Sequence, residues 1–158
     1  MTHYFMDSSA LVKRYVPEQG TGWVRSITAE RAQNVILIAR VTIIEITSGL
    51  ARRKREGYLS PAHARSIRLL LDYHAGRDYL GIGLSSSIVS LAQDLLEKHS
   101  LRAYDSVQLA SALEARSRLT NTSLSPLLFV AGDIQLLSAA SAENLTIDSP
   151  VNHLDDDS

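Results

Sequence analysis

The sequence predicts an α/β domain of three layers, α/β/α, around a central parallel sheet. Short apolar runs alternate with amphipathic segments along the chain. Two of these runs, residues 35–38 and 127–130, are uninterrupted by polar residues, which is typical of strands buried on both faces. Alternation of strands with helices favours a parallel sheet covered by helices. At 158 residues the chain is long enough for one domain with a substantial core.

The individual elements follow from periodicity and from residues that start or stop helices. Strands are predicted for apolar runs bounded by turn residues, at residues 3–7, 35–38, 79–84, 127–130 and 145–147. Helices are predicted where apolar side chains recur every three or four residues, over residues 8–16, 20–27, 41–56, 61–74, 88–96, 105–119 and 134–140. Pro17 ends the first helix, Pro61 begins the fourth and Ser85 caps the fifth. Gly81 and Gly83 weaken the third strand.

Composition limits the classes of protein that the chain can represent. The net charge of −1 produces no overall field, so a nucleic-acid partner would have to be bound by local features. Absence of cysteine excludes disulfides and thiolate metal sites, and we expect a cytoplasmic protein. No signal-like leader and no stretch of membrane-spanning length is recognisable. Residues 1–150 are expected to form the domain, and residues 151–158 a polar, disordered tail.

Four acidic residues fall where strands end or helices begin. Asp7 ends the first strand, Asp133 follows the fourth, Asp105 opens a helix and Glu45 lies in the second turn of another. In sheets of this type ligands bind at the carboxyl ends of the strands. Each Asp alone could equally serve as a helix N-cap. Together they form a candidate catalytic cluster.

Glu45 has the sequence context that most requires an explanation. It lies among isoleucines in residues 43–46, where a carboxylate on the packed side needs a cation, a hydrogen-bonding partner or exposure. If the four acids meet, each close pair repels by about 4 kcal/mol, and a divalent cation would relieve this repulsion. Ligands that are oxygen atoms only indicate Mg²⁺ or Mn²⁺ rather than zinc. The five histidines are scattered and suit packing or surface positions.

Four motifs carry a resemblance to a known family. They are YFMDSSALVKRY at residues 4–15, TIIE at 42–45 with GLARR at 49–53, LRAYDSVQLA at 101–110, and LFVAGD at 128–133 followed by two leucines at 136–137. The sequence resembles the PIN-domain family, specifically its VapC-type toxins, over almost its whole length. The resemblance implies the three-layer fold and a metal-dependent endoribonuclease that hydrolyses RNA phosphodiester bonds with metal-activated water.

The resemblance also implies ligands and partners. Asp7, Asp105 and Asp133 would hold Mg²⁺, for which Mn²⁺ could substitute, and Glu45 would bind it directly or through water. The protein would be the toxin of a toxin–antitoxin pair, inhibited by a small antitoxin protein, and would form a homodimer. The apolar stripe of Ile67, Leu70 and Leu71 suits either core packing or part of that dimer interface.

Other residues near the acids have two possible roles. Ser9 could orient a metal ligand or cap a helix. Arg14 and Arg102 are candidates for substrate contacts, and the basic run at residues 52–55 could follow an RNA backbone or complement a helix dipole. One departure stands out: many family members carry Ser or Thr two residues before the last acid, where this chain has Ala131.

Three other functions compete with the toxin. An RNA-processing PIN nuclease without an antitoxin is the nearest. A catalytically weak PIN-like module that binds protein or RNA is favoured by Ala131 and disfavoured by the four acids, because a pure binder gains little from clustered like charges. A phosphatase with Asp7 as nucleophile is disfavoured by Ser9, which stands where that chemistry needs a second acid.

Overall fold

The centre of the molecule is a five-stranded, entirely parallel sheet. The structure is a computed structural model that describes residues 1–120 and 126–153. The strands are β1 (His3–Met6), β2 (Val35–Ala39), β3 (Tyr79–Ile82), β4 (Leu127–Val130) and β5 (Thr146–Asp148). Their order is β3-β2-β1-β4-β5, so the first strand of the chain is central and pairs with β2 and β4.

Seven helices are present in the described part of the chain. They are α1 (Ser8–Leu11), α2 (Thr21–Thr28), α3 (Val41–Arg55), α4 (Pro61–Arg77), α5 (Ser86–Lys98), α6 (Ala103–Thr120) and α7 (Ile134–Ala142). Ser60 and Ser85 accept N-capping hydrogen bonds at α4 and α5. The first helix differs from the predicted span of 8–16, because α1 tightens after one turn into a 3₁₀ turn at Val12–Arg14.

Side chains alternate along each strand and separate the core into two layers. Phe5, Leu37 and Phe129 point to the side covered by α5, α6 and α7. The rings of Phe5 and Phe129 stack with centroids 5.8 Å apart. Met6 and Ile38 point to the opposite side, which α1 to α4 cover. This arrangement confirms the predicted three-layer α/β/α fold with its central parallel sheet.

The apolar stripe of α4 has two parts. Ile67 and Leu71 are buried in the core layer under α3 and α4, whereas Leu70 is 47% exposed. Two of the three stripe residues therefore serve core packing. Among the described residues, no helix is both long and apolar enough to cross a membrane.

The end of the described chain packs against the beginning. Pro150–Asn152 form a 3₁₀ turn, and the ring of His153 stacks on Trp23 of α2 at 3.9 Å. Gly20 has φ +89°, and a Cβ there would meet Pro150 O at 2.5 Å, so this approach requires glycine. Within the expected tail, His153 thus packs on α2, whereas Val151 and Asn152 are exposed. The polar loop predicted around residues 121–123 and the acids at 155–157 lie outside the described residues.

Candidate active site

The four predicted acids line one cleft at the carboxyl ends of the central strands. Asp7 directly follows β1, Glu45 lies on α3, Asp105 is in the first turn of α6 and Asp133 caps α7. The cleft has a volume of about 280 Å³. Its remaining lining residues come from α1 and from the start of α6: Ser8, Ser9, Arg102, Ala103 and Tyr104. The topology therefore brings together acids that are up to 126 positions apart in the sequence.

Asp7 is the most buried of these acids. Its side chain caps α1, with Oδ2 accepting hydrogen bonds from the backbone N–H of Ser9 at 3.1 Å and from the Ser9 hydroxyl. The other oxygen, Oδ1, is buried and has no hydrogen-bond partner among the described residues. Burial raises the pKa of Asp7 to about 6, against the Ser9 hydrogen bonds and with smaller contributions from Glu45 and Asp105. Asp7 therefore presents one carboxylate oxygen without a hydrogen-bond partner among the described residues, and it is protonated more readily than an ordinary aspartate.

Ser9 connects the two loops that carry the first and last acids. Its hydroxyl donates to Asp7 Oδ2 and accepts from the backbone N–H of Gly132 at 2.8 Å. Asp7 is the helix cap, and Ser9 orients it. Ala131 is fully buried in the core layer under α5 to α7. The hydroxyl that reaches this loop thus comes from Ser9 rather than from residue 131.

Two hydrogen bonds hold the carboxylate of Glu45. Oε2 accepts from the Ser8 hydroxyl at 3.1 Å, and Oε1 accepts from Gln108 Nε2 at 2.7 Å. Burial raises the pKa of Glu45, and these two hydrogen bonds oppose that rise. Gln108, on α6, is fully buried and was not predicted as a site residue. An amide within a helical stretch gives no local signal; only the fold places it beside Glu45.

Asp105 and Asp133 share one cation. Arg102 Nε lies 3.5 Å from Asp105 Oδ2, and Arg102 Nη2 lies 3.7 Å from Asp133 Oδ2. Burial raises the pKa of Asp105; Arg102 opposes the rise and Asp133 adds to it. The Arg102 side chain is 84% exposed, so these contacts are weak and the guanidinium is available at the mouth of the cleft.

Arg14 does not reach the cleft. Its guanidinium donates to the Tyr79 hydroxyl at 2.7 Å and lies 3.7 Å from Asp78, and its side chain is 14% exposed. Tyr79 is the first residue of β3, whereas the cleft lies at the carboxyl ends of the strands. Proximity to Asp7 in sequence was misleading here, because the 3₁₀ turn after α1 points Arg14 towards α4 and β3. The structure gives Arg14 packing partners instead of a place for substrate.

The basic run at the end of α3 is divided between two environments. Arg53 pairs with Glu18 at 2.9 Å. Arg52 faces a groove that also contains Glu45 and Tyr104, next to the acidic cleft. In the part of the chain that the structure describes, Arg52 forms no ion pair. Arg52 and Arg53 therefore do not act as one patch.

The donor set of the cleft suits a hard divalent cation. All four acids supply oxygen atoms, and the free Oδ1 of Asp7 is the strongest single indication of a ligand. Among the described residues, no group of three or more His, Asp or Glu side chains is arranged closely enough to hold an ion together. Mg²⁺ commonly uses one or two carboxylates and completes its shell with water and phosphate oxygens. The residues present fit that mode of binding.

Comparison with known proteins identifies the family. The family model of the PIN domain matches residues 4–123, three quarters of the chain. The chain belongs to the PIN-domain family. PIN domains are generally nucleases that use divalent metal ions, so this PIN domain is placed among hydrolases of nucleic acids. No curated protein matches the sequence.

Three solved structures resemble this PIN domain over nearly its full length. VapBC2 from Rickettsia felis, bound to a DNA fragment from its promoter, has a TM-score of 0.60 at 12% identity and covers 94% of this chain and 98% of its own. A toxin–antitoxin complex from Klebsiella pneumoniae has a TM-score of 0.58 at 17% identity, covering 93% and 97%. A Pyrobaculum aerophilum protein has a TM-score of 0.63 at 17% identity, covering 96% and 90%. At these identities the likeness establishes the fold.

Proposed function

We propose that this PIN domain is an Mg²⁺-dependent endoribonuclease, with Mn²⁺ able to substitute, and the toxin of a toxin–antitoxin pair. The proposed nuclease activity rests on the convergence of four acids on one cleft, where Asp7 Oδ1 is buried and has no hydrogen-bond partner among the described residues. Like charges gathered in this way are costly for a pure binding module, because neighbouring acids add to the rise in the pKa of Asp7 and of Asp105. A bound divalent cation would offset the repulsion between these carboxylates.

Asp7 and Asp105 would hold the ion, with Asp133 and Glu45 binding it directly or through water. When bound, Mg²⁺ lowers the pKa of water and offsets the charge that develops on the attacked phosphate. Glu45, fixed by Ser8 and Gln108, is the carboxylate available to accept the proton of the attacking water. No side-chain nucleophile is needed.

Two further residues of the chain prepare the cleft for substrate. Ser9 locks the loop of Asp7 to that of Asp133, so the separation of the first and last acids is set before RNA binds. Arg102, exposed at the mouth, would bind a phosphate oxygen of the RNA. Neither residue takes part in breaking the bond.

The toxin assignment rests on the fold neighbours. Solved structures that cover almost the whole chain include VapBC2 and a toxin–antitoxin complex. An antitoxin would dock on the helices and place a basic side chain in the acidic cleft. The active form would be a cytoplasmic homodimer. An RNA-processing nuclease would share the same chemistry and lack the antitoxin.

The nuclease is tested on the purified chain. We expect cleavage of single-stranded RNA in Mg²⁺ and none in EDTA, with cleavage lost in Asp7→Asn and Asp105→Asn. Asp72→Asn, an exposed acid of α4 paired with Arg68, is the matched control. Cleavage that persists in both site variants refutes the site. A folded wild type that neither cuts RNA nor binds Mg²⁺ by calorimetry refutes the nuclease.

The toxin is tested separately in cells. Expression of the wild type should arrest growth, Asp7→Asn should not, and co-expression of the product of the adjacent upstream reading frame should restore growth. Robust RNA cleavage in vitro without growth arrest would favour the RNA-processing nuclease. Sequencing of RNA fragment ends after brief expression identifies the target in either case.

A further inference from the structure

A groove runs from the acidic cleft along one face of α3. It has a volume of about 290 Å³ and shares Glu45 and Tyr104 with the cleft, so the two lie side by side. Ile44, Ser48 and Arg52 follow one another at intervals of four residues along this face. The remaining lining residue, Gly49, adds no side chain. The groove therefore adjoins the candidate active site.

The groove combines an aromatic ring, an apolar side chain and a cation. Tyr104 is 50% exposed and Ile44 is 60% exposed, although both are large apolar groups next to a polar cleft. Arg52 stands at the far end and forms no ion pair within the described ranges 1–120 and 126–153. Exposed aromatic rings beside an unpaired cation are the elements that bind single-stranded nucleic acids, where bases stack on rings and cations contact phosphates.

We propose that this groove binds the nucleotide next to the scissile phosphate of a single-stranded RNA, with its base stacked on Tyr104 and its phosphate on Arg52. The inference rests on the proposed nuclease function and adds a substrate subsite to it. Glu45 marks the boundary, since it faces the cleft on one side and the groove on the other. Arg53, the next residue of the basic run, is occupied by Glu18 and takes no part.

The charge distribution favours a single-stranded nucleic acid as the occupant of the groove, and the proposed ribonuclease makes that strand RNA. A phosphate chain that enters the cleft meets Arg102 at its mouth, and the next cation along α3 is Arg52. A duplex would present no free base face to Tyr104, because its bases are stacked on one another. The geometry therefore favours an unpaired strand over a duplex.

The subsite is tested by the affinity of the intact protein for a short fluorescein-labelled single-stranded RNA, measured by anisotropy in EDTA to prevent cleavage. Tyr104→Ala should weaken binding roughly ten-fold, whereas Tyr104→Phe should retain it. Arg52→Ala should reduce the slope of log K against log salt by about 0.7, as expected for one lost phosphate contact. Arg55→Ala, equally charged and outside the groove, is the control and should leave the slope unchanged. Thermal melts verify that each variant is folded.

A second measurement locates the base. After the cleavage position is mapped in Mg²⁺, the base beside it is replaced by an abasic residue. The wild type should bind this RNA about ten-fold more weakly than the intact RNA. Tyr104→Ala should bind the two RNAs with equal affinity. If the losses of affinity caused by the abasic residue and by Tyr104→Ala add up, the base lies elsewhere and the inference is overturned.

The outcomes separate the subsite from the nuclease. If the wild type cuts RNA and Tyr104→Ala binds it with unchanged affinity, the subsite is wrong and the nuclease stands; a groove that serves a protein partner gives this result. If folded wild type neither cuts nor binds RNA, the proposed function fails and the subsite with it. Loss of affinity in Tyr104→Ala and Arg52→Ala, but not in Tyr104→Phe or Arg55→Ala, establishes the subsite.

Discussion

Gln108 donates a hydrogen bond to Glu45 across 63 positions of sequence, with Nε2 and Oε1 2.7 Å apart. The same nitrogen donates to the Thr42 hydroxyl at 2.8 Å, so both of its protons are used on α3. Gln108 is fully buried, and its side chain cannot turn away without leaving these acceptors unpaired. The amide therefore holds Glu45 in place and favours its ionised form, against the effect of burial on its pKa.

Replacing Gln108 tests this control of Glu45. In Gln108→Leu the pKa of Glu45 should rise, because the lost hydrogen bond stabilised the ionised carboxylate. The acid limb of the pH profile of RNA cleavage should move to higher pH. Gln135→Leu, an exposed glutamine of α7, is the control and should keep the wild-type profile. An unshifted acid limb in a folded Gln108→Leu protein would contradict the positioning role.

Asp7 should make the metal-free protein less stable at neutral pH than in acid. The folded pKa of about 6 exceeds the ordinary value of 3.8, so between about pH 4 and 6 the folded state holds a proton that the unfolded state has lost. The contribution of Asp7 to the free energy of unfolding is fully present below about pH 4. It falls as the pH rises from about 4 through 6, by about 3 kcal/mol in total. Asp7→Asn should therefore be more stable than the wild type at pH 7 in EDTA, by up to that amount.

Urea unfolding at pH 4 and pH 7 measures this effect of Asp7. The gain from Asp7→Asn should be largest at pH 7 and should shrink in acid, whereas the exposed control Asp72→Asn should show no such dependence. A less stable Asp7→Asn protein at pH 7 would show that the buried charge is compensated by contacts that the structure does not contain.

Arg102 should have opposite effects on the metal and on RNA. Its guanidinium lies within 4 Å of two carboxylates that would hold the ion, so Arg102→Ala should bind Mg²⁺ more tightly. The same variant should lose one phosphate contact and reduce the salt slope of RNA binding by about 0.7. Calorimetry with Mg²⁺ and anisotropy with RNA measure the two effects. Weaker Mg²⁺ binding in Arg102→Ala would mean that Arg102 organises the acids instead of competing for them.

Arg14 should matter for stability and not for cleavage. Arg14→Ala removes the hydrogen bond to Tyr79 and the ion pair with Asp78, with an expected loss of about 1–3 kcal/mol in the free energy of unfolding. Under conditions in which the variant is fully folded, kcat/KM for RNA should equal that of the wild type. Arg31→Ala, an exposed arginine, controls for the loss of positive charge. A reduced kcat/KM in folded Arg14→Ala would restore Arg14 as a substrate contact.

The sequence predicted those features that local patterns determine. Uninterrupted apolar runs located β2 and β4, and a parallel sheet places the ends of its strands at one edge, which brings Asp7 near Asp133. Motif context added Glu45 and Asp105. The short α1 was missed, because nothing in residues 8–16 distinguishes an α-helical turn from a 3₁₀ turn.

Contacts between distant residues were beyond the reach of sequence patterns. Gln108 reaches Glu45 only because the fold brings this part of α6 to the first turns of α3, and Arg14 turns to Tyr79 because β3 lies at the edge of the sheet beside α4. Neither residue carries a local signal of its partner. The same holds for Ser9, whose hydroxyl was expected near the acids but whose second partner, Gly132, is 123 positions away.

The central position of β1 has a consequence for how the protein is made. β1 is synthesised first, yet one of its two neighbours, β4, is separated from it by 120 residues. Asp7 and Asp133 cannot meet until that length of chain has left the ribosome. A nascent chain therefore has no assembled cleft until β4 and the loop after it have been synthesised.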